Sequence, residues 1–346
     1  MSKTKAFRAI ILVFPIILTS CYDTHRQNFD KGLIPVTPQN FKEVNSSFDD
    51  YNSDMDYDWS EKYFTLIFST NKKTAVDFDF ICYDCMAYSS LISGKFEMNA
   101  DFREFGLLDA INSAGNELGP CLVHDLARGV YEPSRGIFDP TKLTDAQKRF
   151  FYASDKDGNL DIYWAALKFE DDEYVITGEP ARLSEINSGS DEAYPTIFYD
   201  EQTDSEVLYF TSDRDGSFDI FRATGNPGKL INQSTDVFIE KVEALSSGSD
   251  DKCPYIRGDI MVFTSDRAGG LGGFDLWYSK YVSNQWSAPV NFGDAINTEY
   301  NEYRPIIADM DVDHYLNNFL NDLMVFSSDR PGGKGGFDLY YIGINK

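Results

Sequence analysis

One hairpin is written five times in this chain. Val262–Tyr278 reads VFTSDRAGGLGGFDLWY: an apolar strand, a Ser-Asp-Arg step, a Gly-rich turn and a second aromatic strand. Val325–Tyr341 (VFSSDRPGGKGGFDLYY), Tyr209–Phe221 (YFTSDRDGSFDIF) and Phe151–Tyr163 (FYASDKDGNLDIY) repeat it, and Ile67–Phe80 (IFSTNKKTAVDFDF) is a worn copy. A unit that recurs in this way cannot bury its apolar faces alone, so the chain must stack such units rather than build one isolated core.

A second motif keeps step with the first. Ile111-Asn112-Ser113 leads to Asn116-Glu117 and Pro120, Ile186-Asn187-Ser188 to Asp191-Glu192 and Pro195, and Ile296-Asn297-Thr298 to Asn301-Glu302 and Pro305. Leu245 to Pro254 keeps the spacing with Asp250-Asp251, and Val44-Asn45-Ser46 with Asp49-Asp50 is a fifth copy, Ser53 standing where Pro would be. Two motifs alternating in this way predict an all-β, five-bladed β-propeller with units starting near 44, 111, 186, 245 and 296.

Each unit reads as four strands. Strand A starts near the Pro of the second motif. Strand B ends at Ser-Asp, strand C is the Phe-Asp-aromatic run, and strand D precedes the next Ile-Asn-Ser. Asp157-Gly158 and Asp215-Gly216 are tight-turn signals, because Gly accepts positive φ. Strand C lacks strict alternation, as in Phe274, Leu276, Trp277 and Tyr278, which fits strands buried on both faces. The 27 Phe and 21 Tyr suit the same arrangement. The fifth unit has no strand D of its own, whereas Leu33–Phe41 has the sequence of one and precedes the first Ile-Asn-Ser-like motif. An open sheet edge invites aggregation, so the N-terminal strand is expected to complete the last blade. Insertions at Leu122–Arg149 and Asp309–Leu323 are expected between strands A and B, on the face opposite the B–C turns.

Residues 1–20 have a basic start (Lys3, Lys5, Arg8) and an apolar stretch from Ala9 to Leu18, too short for a membrane span. Leu18-Thr19-Ser20-Cys21 has the shape of a lipoprotein cleavage box, so Cys21 is expected to be lipidated, with 21–32 a tether and 33–346 the propeller. Cleavage removes three cations and no acid, making a net charge of −25 more negative by three. Such acidity excludes nucleic acid and anionic membrane surface as electrostatic partners.

The TSDR…GGFDLY hairpins with their Ile-Asn-Thr…Asn-Glu…Pro lead-in resemble the WD-like propeller repeats of the TolB type, found also in envelope lipoproteins. The resemblance spans nearly the whole chain after residue 20. It implies a non-catalytic scaffold that is lipid-anchored at the outer membrane and binds envelope proteins. Two departures stand out: five units rather than six, and loss of Asp and Arg from the first hairpin (Thr70, Asn71).

Asp50, Glu117, Glu192, Asp251 and Glu302 each open a strand A and are expected to ring one channel mouth, most of them paired with turn cations or capping backbone N–H groups. The turn residues beside them are Asp155, Asp213, Arg214, Asp266, Arg267, Asp329 and Arg330. Acids that recur in every unit read as structural, and no Ser-His-Asp spacing, phosphate loop or His-Glu-x-x-His is present, so no enzyme, cofactor or metal is expected. The alternative is a glycan-binding or glycoside-cleaving five-bladed propeller, since glycosidases need only two carboxylates flanking the bond. His124 and His314 lie in the insertions and His25 in the tether, where they read as surface residues. Cys82 and Cys85 are compatible with a local disulfide outside the cytoplasm. Cys121 and Cys253 lie at equivalent places beside Pro120 and Pro254 and read as core residues.

Overall fold

The computed structural model describes residues 32–57, 63–89, 95–123, 149–170, 173–200, 203, 205–225, 237–308 and 319–345. The expected export signal, Cys21, the tether through residue 31, most of both insertions and all three histidines lie outside them. Lys31–Lys346 is one compact unit.

Five antiparallel sheets make five blades. Blade 1 runs Asp50–Tyr57 (strand A), Tyr63–Thr70 (B), Asp79–Ser89 (C) and Phe96–Arg103 (D). Blade 2 has Glu117–Val123, Arg149–Ser154, Asp161–Glu170 and Ala181–Arg182, with Glu173–Ile176 as an extra hairpin on strand C. Blade 3 has Glu192–Asp200, Ser205–Ser212, Asp219–Gly225 and Phe238–Lys241. Blade 4 has Asp251–Arg257, Ile260–Ser265 and Asp275–Val282, and its outer position is shared by Gln285–Trp286 and Val290–Asn291. Blade 5 has Glu302–Ala308, Asp322–Ser328 and Asp338–Ile344, and its fourth strand is Gln39–Asn40. The five A strands touch one another in sequence and return from blade 5 to blade 1, so they line the axis.

The ring is closed as the sequence leads one to expect, by the N-terminal strand. Gln39 pairs with Tyr341 and Asn40 with Tyr340. The ladder is much shorter than Leu33–Phe41, because Pro35 and Pro38 have no N–H to donate. The rest of the segment is held otherwise: Gly343 N donates to Pro35 O at 2.7 Å, and Asn321 clasps Ile34 through both its N–H and C=O at 3.0 and 2.9 Å.

Each pair of neighbouring blades has its own apolar core. One of these, between blades 1 and 2, takes Ile67 and Phe80 from one side and Phe150 and Tyr152 from the other. The core between blades 5 and 1 takes Val325 and Leu339 from blade 5, Leu66 and Phe68 from blade 1, and Ile34 and Phe41 from the closing segment. A central strand therefore meets a neighbour on both faces, which is why its pattern does not alternate.

The two motifs are the joints of this ring. The N–H of the residue before each strand-C Asp donates to a side chain of the next blade: Phe78 to Asn116, Leu160 to Asp191, Phe218 to Asp250, Phe274 to Asn301 and Phe337 to Asp49, at 2.8–3.2 Å. The carbonyls of the same five residues accept from the N–H of Glu117, Glu192, Asp251, Glu302 and Asp50. The last pair joins blade 5 to blade 1 by the same bonds as every other junction. The Asn of Ile-Asn-Ser anchors strand C of the blade before it, as Asn187 does with Ile162 and Asn45 with Leu339.

Candidate functional site on the propeller axis

The carboxylates at the start of strand A are all fully buried, and each is held inside its own blade. Glu302 accepts from Thr298 N–H (2.9 Å), the hydroxyls of Thr298 (2.7 Å) and Ser328 (3.0 Å), and Arg330 (2.9 Å). Glu192 has the same four partners in Ser188 N–H, Ser188 and Ser212 hydroxyls and Arg214. Asp251 takes Ser247 N–H and Arg267. Glu117 accepts from Ser113 and Ser154, and Asp50 from Ser46 N–H, without a turn arginine. Burial pushes the Asp50 and Glu117 carboxyls above their usual range.

The turn residues are equally committed. Arg214 lies over Phe210 and Phe221, Arg267 over Phe263 and Trp277, and Arg330 over Phe326 and Tyr340, with guanidinium-to-ring distances of 4.9–5.4 Å. Asp155, Asp213, Asp266 and Asp329 accept the N–H of Asn116, Asp191, Asp250 and Asn301 at 2.7–2.9 Å. In the first blade Asn71 does the same for Asp49 N–H at 3.0 Å, so the worn copy keeps this joint. The polar side chains of the repeated motif are thus spent on building blades.

Functional individuality lies one step further along strand A. All five A strands carry the same β-bulge, an extra residue that shifts the register against strand B. The third residue of each strand has positive φ: Asn52 (58°), Gly119 (59°), Tyr194 (54°), Cys253 (56°) and Arg304 (47°). Four of the five are not glycine, a backbone state costing about 1–3 kcal/mol per residue. The bulged N–H groups of Asn52, Cys253 and Arg304 donate to Ser327, Thr211 and Thr264 on the preceding blade. These five positions share one backbone role, yet their side chains are unrelated.

Arg304 crosses the axis. It belongs to blade 5, but its Nη2 donates to the Pro120 carbonyl of blade 2 at 3.1 Å and its guanidinium lies 5.8 Å from the Tyr194 ring of blade 3. Its charge acts on Asp54, Cys121, Tyr194, Cys253 and Tyr255, so it is felt in each of the other four blades. Asp54 faces the same shaft, with its Oδ2 accepting Leu122 N–H at 2.8 Å. Burial raises the Asp54 carboxyl to about 6, against the opposing pull of the Leu122 N–H and Arg304.

That shift has a measurable consequence. An acid whose folded pKa is raised favours folding below its unfolded pKa, and the contribution is lost as pH rises through the folded value. The window here runs from about 4 to about 6, and about two pKa units correspond to roughly 3 kcal/mol. Asp54→Asn, which keeps an acceptor for Leu122 N–H, is expected to gain several degrees of melting temperature over the parent at pH 8 and little at pH 4. An equal difference at both pH values would refute the assignment.

At the end of the shaft where strands A begin lies an aromatic floor. The five residues before the strand-C Asp, Phe78, Leu160, Phe218, Phe274 and Phe337, are all half-buried, as are Tyr51, Lys252 and Tyr303 at the second position of strand A. Tyr51 packs on Phe78 (4.7 Å between centroids) and Phe337 (5.7 Å), and Tyr303 on Phe274 (5.5 Å) and Phe337 (6.4 Å). The Lys252 ammonium sits 4.0 Å from the Phe218 ring and pairs with Asp250 at 2.9 Å. The sequence alone did not single out Asn52, Asp54, Arg304 or this floor. The available signal was variation: Asn, Gly, Tyr, Cys and Arg at one position of a repeat whose flanks are constant.

The cysteines settle one open point and correct one expectation. Cys82 and Cys85 are not joined in a disulfide, and they enter different cores on opposite faces of blade 1, as residues an odd number apart on a strand must. Cys121 and Cys253 do not occupy equivalent places: Cys253 is the bulged third residue of its strand and Cys121 the fifth. Both are buried, and burial pushes each thiol up to about 12. Among the described residues, no group of His, Cys, Asp and Glu is arranged to hold a metal ion, and no helix is long and apolar enough to cross a membrane.

No family model matches the chain, and no curated protein does. The fold is shared with solved glycoside hydrolases. A glycoside hydrolase aligns with a TM-score of 0.55 at 9% identity over 91% of this chain and 94% of its own. A thermostable family-43 glycoside hydrolase aligns at 0.52 and 10% identity, covering 88% and 91% of the two chains. A GH62 hydrolase in complex with xylotriose aligns at 0.50 and 12% identity, covering 90% and 96%. At such identities the likeness is one of fold. It nevertheless overturns the reading as a TolB-type envelope lipoprotein that binds proteins without catalysis. The likenesses are to glycoside hydrolases, and the motif that suggested TolB is consumed by blade joints and marks no particular partner. The expectation of no enzyme activity falls with it, since it rested on that resemblance and on structural acids that leave Asp54 unconsidered.

Proposed function

We propose that this propeller acts on glycans, seating a sugar on the axial aromatic floor, with Asp54 in the shaft as the group that donates a proton to a glycosidic oxygen. The observation that carries this reading is the floor itself. Partly buried aromatic side chains gathered at one end of a propeller axis offer what the C–H face of a sugar ring stacks on, and a binding site of this kind combines apolar walls with few polar groups. Lys252 supplies a polar contact at that level. Glycoside cleavage requires an acid that keeps its proton near neutral pH, and Asp54 has its carboxyl raised to about 6. The fold shared with glycoside hydrolases agrees with this assignment.

The test is a glycan-binding screen run beside hydrolysis of chromogenic aryl glycosides and plant and bacterial polysaccharides. Phe274→Ala is expected to weaken binding about tenfold, the loss of one stacking face. Asp54→Asn is expected to keep binding and lose roughly 10²–10⁴ in turnover. Binding that survives Phe274→Ala unchanged would remove the floor from the site, and turnover that survives Asp54→Asn would remove the acid. Neither binding nor turnover with any glycan would overturn the proposal.

A further inference from the structure

Arg304 is the largest fully buried side chain among the described residues, and its Nε and Nη1 have no hydrogen-bond partner. Only its Nη2 is satisfied, by the Pro120 carbonyl. Asp54, the carboxyl in the same shaft, is not within ion-pair distance, and its Oδ2 is occupied by Leu122 N–H. A buried cation with unmet N–H groups is strongly unfavourable unless a counter-charge meets it. On the neighbouring blade, the residue at the same bulged position is Asn52. Its side chain is fully buried, and both its amide nitrogen and oxygen lack partners. Two adjacent strands thus carry, at the same bulged backbone position, side chains with unused donors.

We infer that the shaft holds one small monovalent anion of the chloride class, bound between the Arg304 guanidinium and the Asn52 amide. Charge selects the sign, because an axial guanidinium repels any cation. Size follows from the surroundings. Tyr194 and Arg304 fill the level with long side chains, while Gly119 and Cys253 contribute little, so a monatomic ion suits the site better than a carboxylate or phosphate. The position on the axis, touching neighbours on several blades, makes the ion a tie between strands that share no ladder. This site is distinct from the aromatic floor and does not depend on sugar binding.

The direct test uses the intact protein. Crystals soaked in sodium bromide should show an anomalous peak beside Arg304 Nε and Nη1. Thermal scans at constant ionic strength should give a melting temperature a few degrees higher in chloride than in gluconate, an anion too large for the shaft, saturating with concentration. Arg304→Met should abolish the difference between the two salts. Only water at the axis in the bromide crystal, or identical melting in chloride and gluconate, would overturn the inference. Should Arg304→Met fail to fold, Asn52→Ala with a weakened bromide peak gives the same answer, and the crystal of the unaltered protein stands by itself.

Discussion

Removal of residues 22–42 will unfold the propeller, whereas removal of 22–30 will leave its melting temperature unchanged. The longer deletion takes Ile34 and Phe41, both fully buried, out of the core between blades 5 and 1. At about 1.5–3 kcal/mol per large apolar side chain, that is already a sizeable part of a domain's net stability. It also strips strand C of blade 5 of its partners Gln39 and Asn40 and of the Phe41 N–H bond to Leu339 O at 2.9 Å. The exposed edge then invites pairing with other chains. A ring suffers more from this than an open stack, because the junction that fails is the one joining its first and last blades. Circular dichroism and light scattering on the purified truncations decide the matter. A longer truncation that melts with the intact chain would show that the ring is closed by something else.

Glu302→Ala is expected to cost about 3–5 kcal/mol, among the largest effects of any single substitution here. The change leaves Arg330 over Phe326 and Tyr340 without its carboxylate, and the Thr298 N–H and Ser328 hydroxyl without an acceptor. Glu117→Ala, at the equivalent position of blade 2, strands hydroxyl and N–H groups of Ser113 and Ser154 but no guanidinium, and should cost nearer 1–3 kcal/mol. Urea denaturation of both variants measures the gap through the shift in midpoint. Equal losses would mean that the arginine is satisfied elsewhere, and that the turn cation is not the partner that makes this carboxylate costly to remove.

The bonds that make Glu302 structural also explain how a family resemblance misled. Ser-Asp-Arg and Asn-Glu are joint chemistry: the Ser hydroxyl meets the strand-A acid, the Asp takes an N–H of the lead-in, and the Arg closes the carboxylate against two aromatic rings. These bonds hold blades together, so the motif identifies the architecture and is silent on the ligand. The ring of acids was legible in the sequence as a set of equivalent positions. That each acid is fully buried was not, because spacing says nothing about how far a side chain is removed from water.

Sequence alone determined what repetition can determine. Five copies of one hairpin and of one lead-in dictate five blades, and a strand D that comes before the first lead-in dictates closure by the N-terminal segment. These follow because each repeat forms the same local hydrogen bonds wherever it occurs. Only the tertiary structure decided what the axis contains. Asn52, Asp54 and Arg304 are far apart along the chain and follow no local pattern. They meet because five bulged strands converge, and burial there raises the Asp54 carboxyl and leaves Arg304 with unmet donors. Convergence of distant strands and loss of water are properties of the closed ring, so the chemistry of the site arises only once the ring has formed.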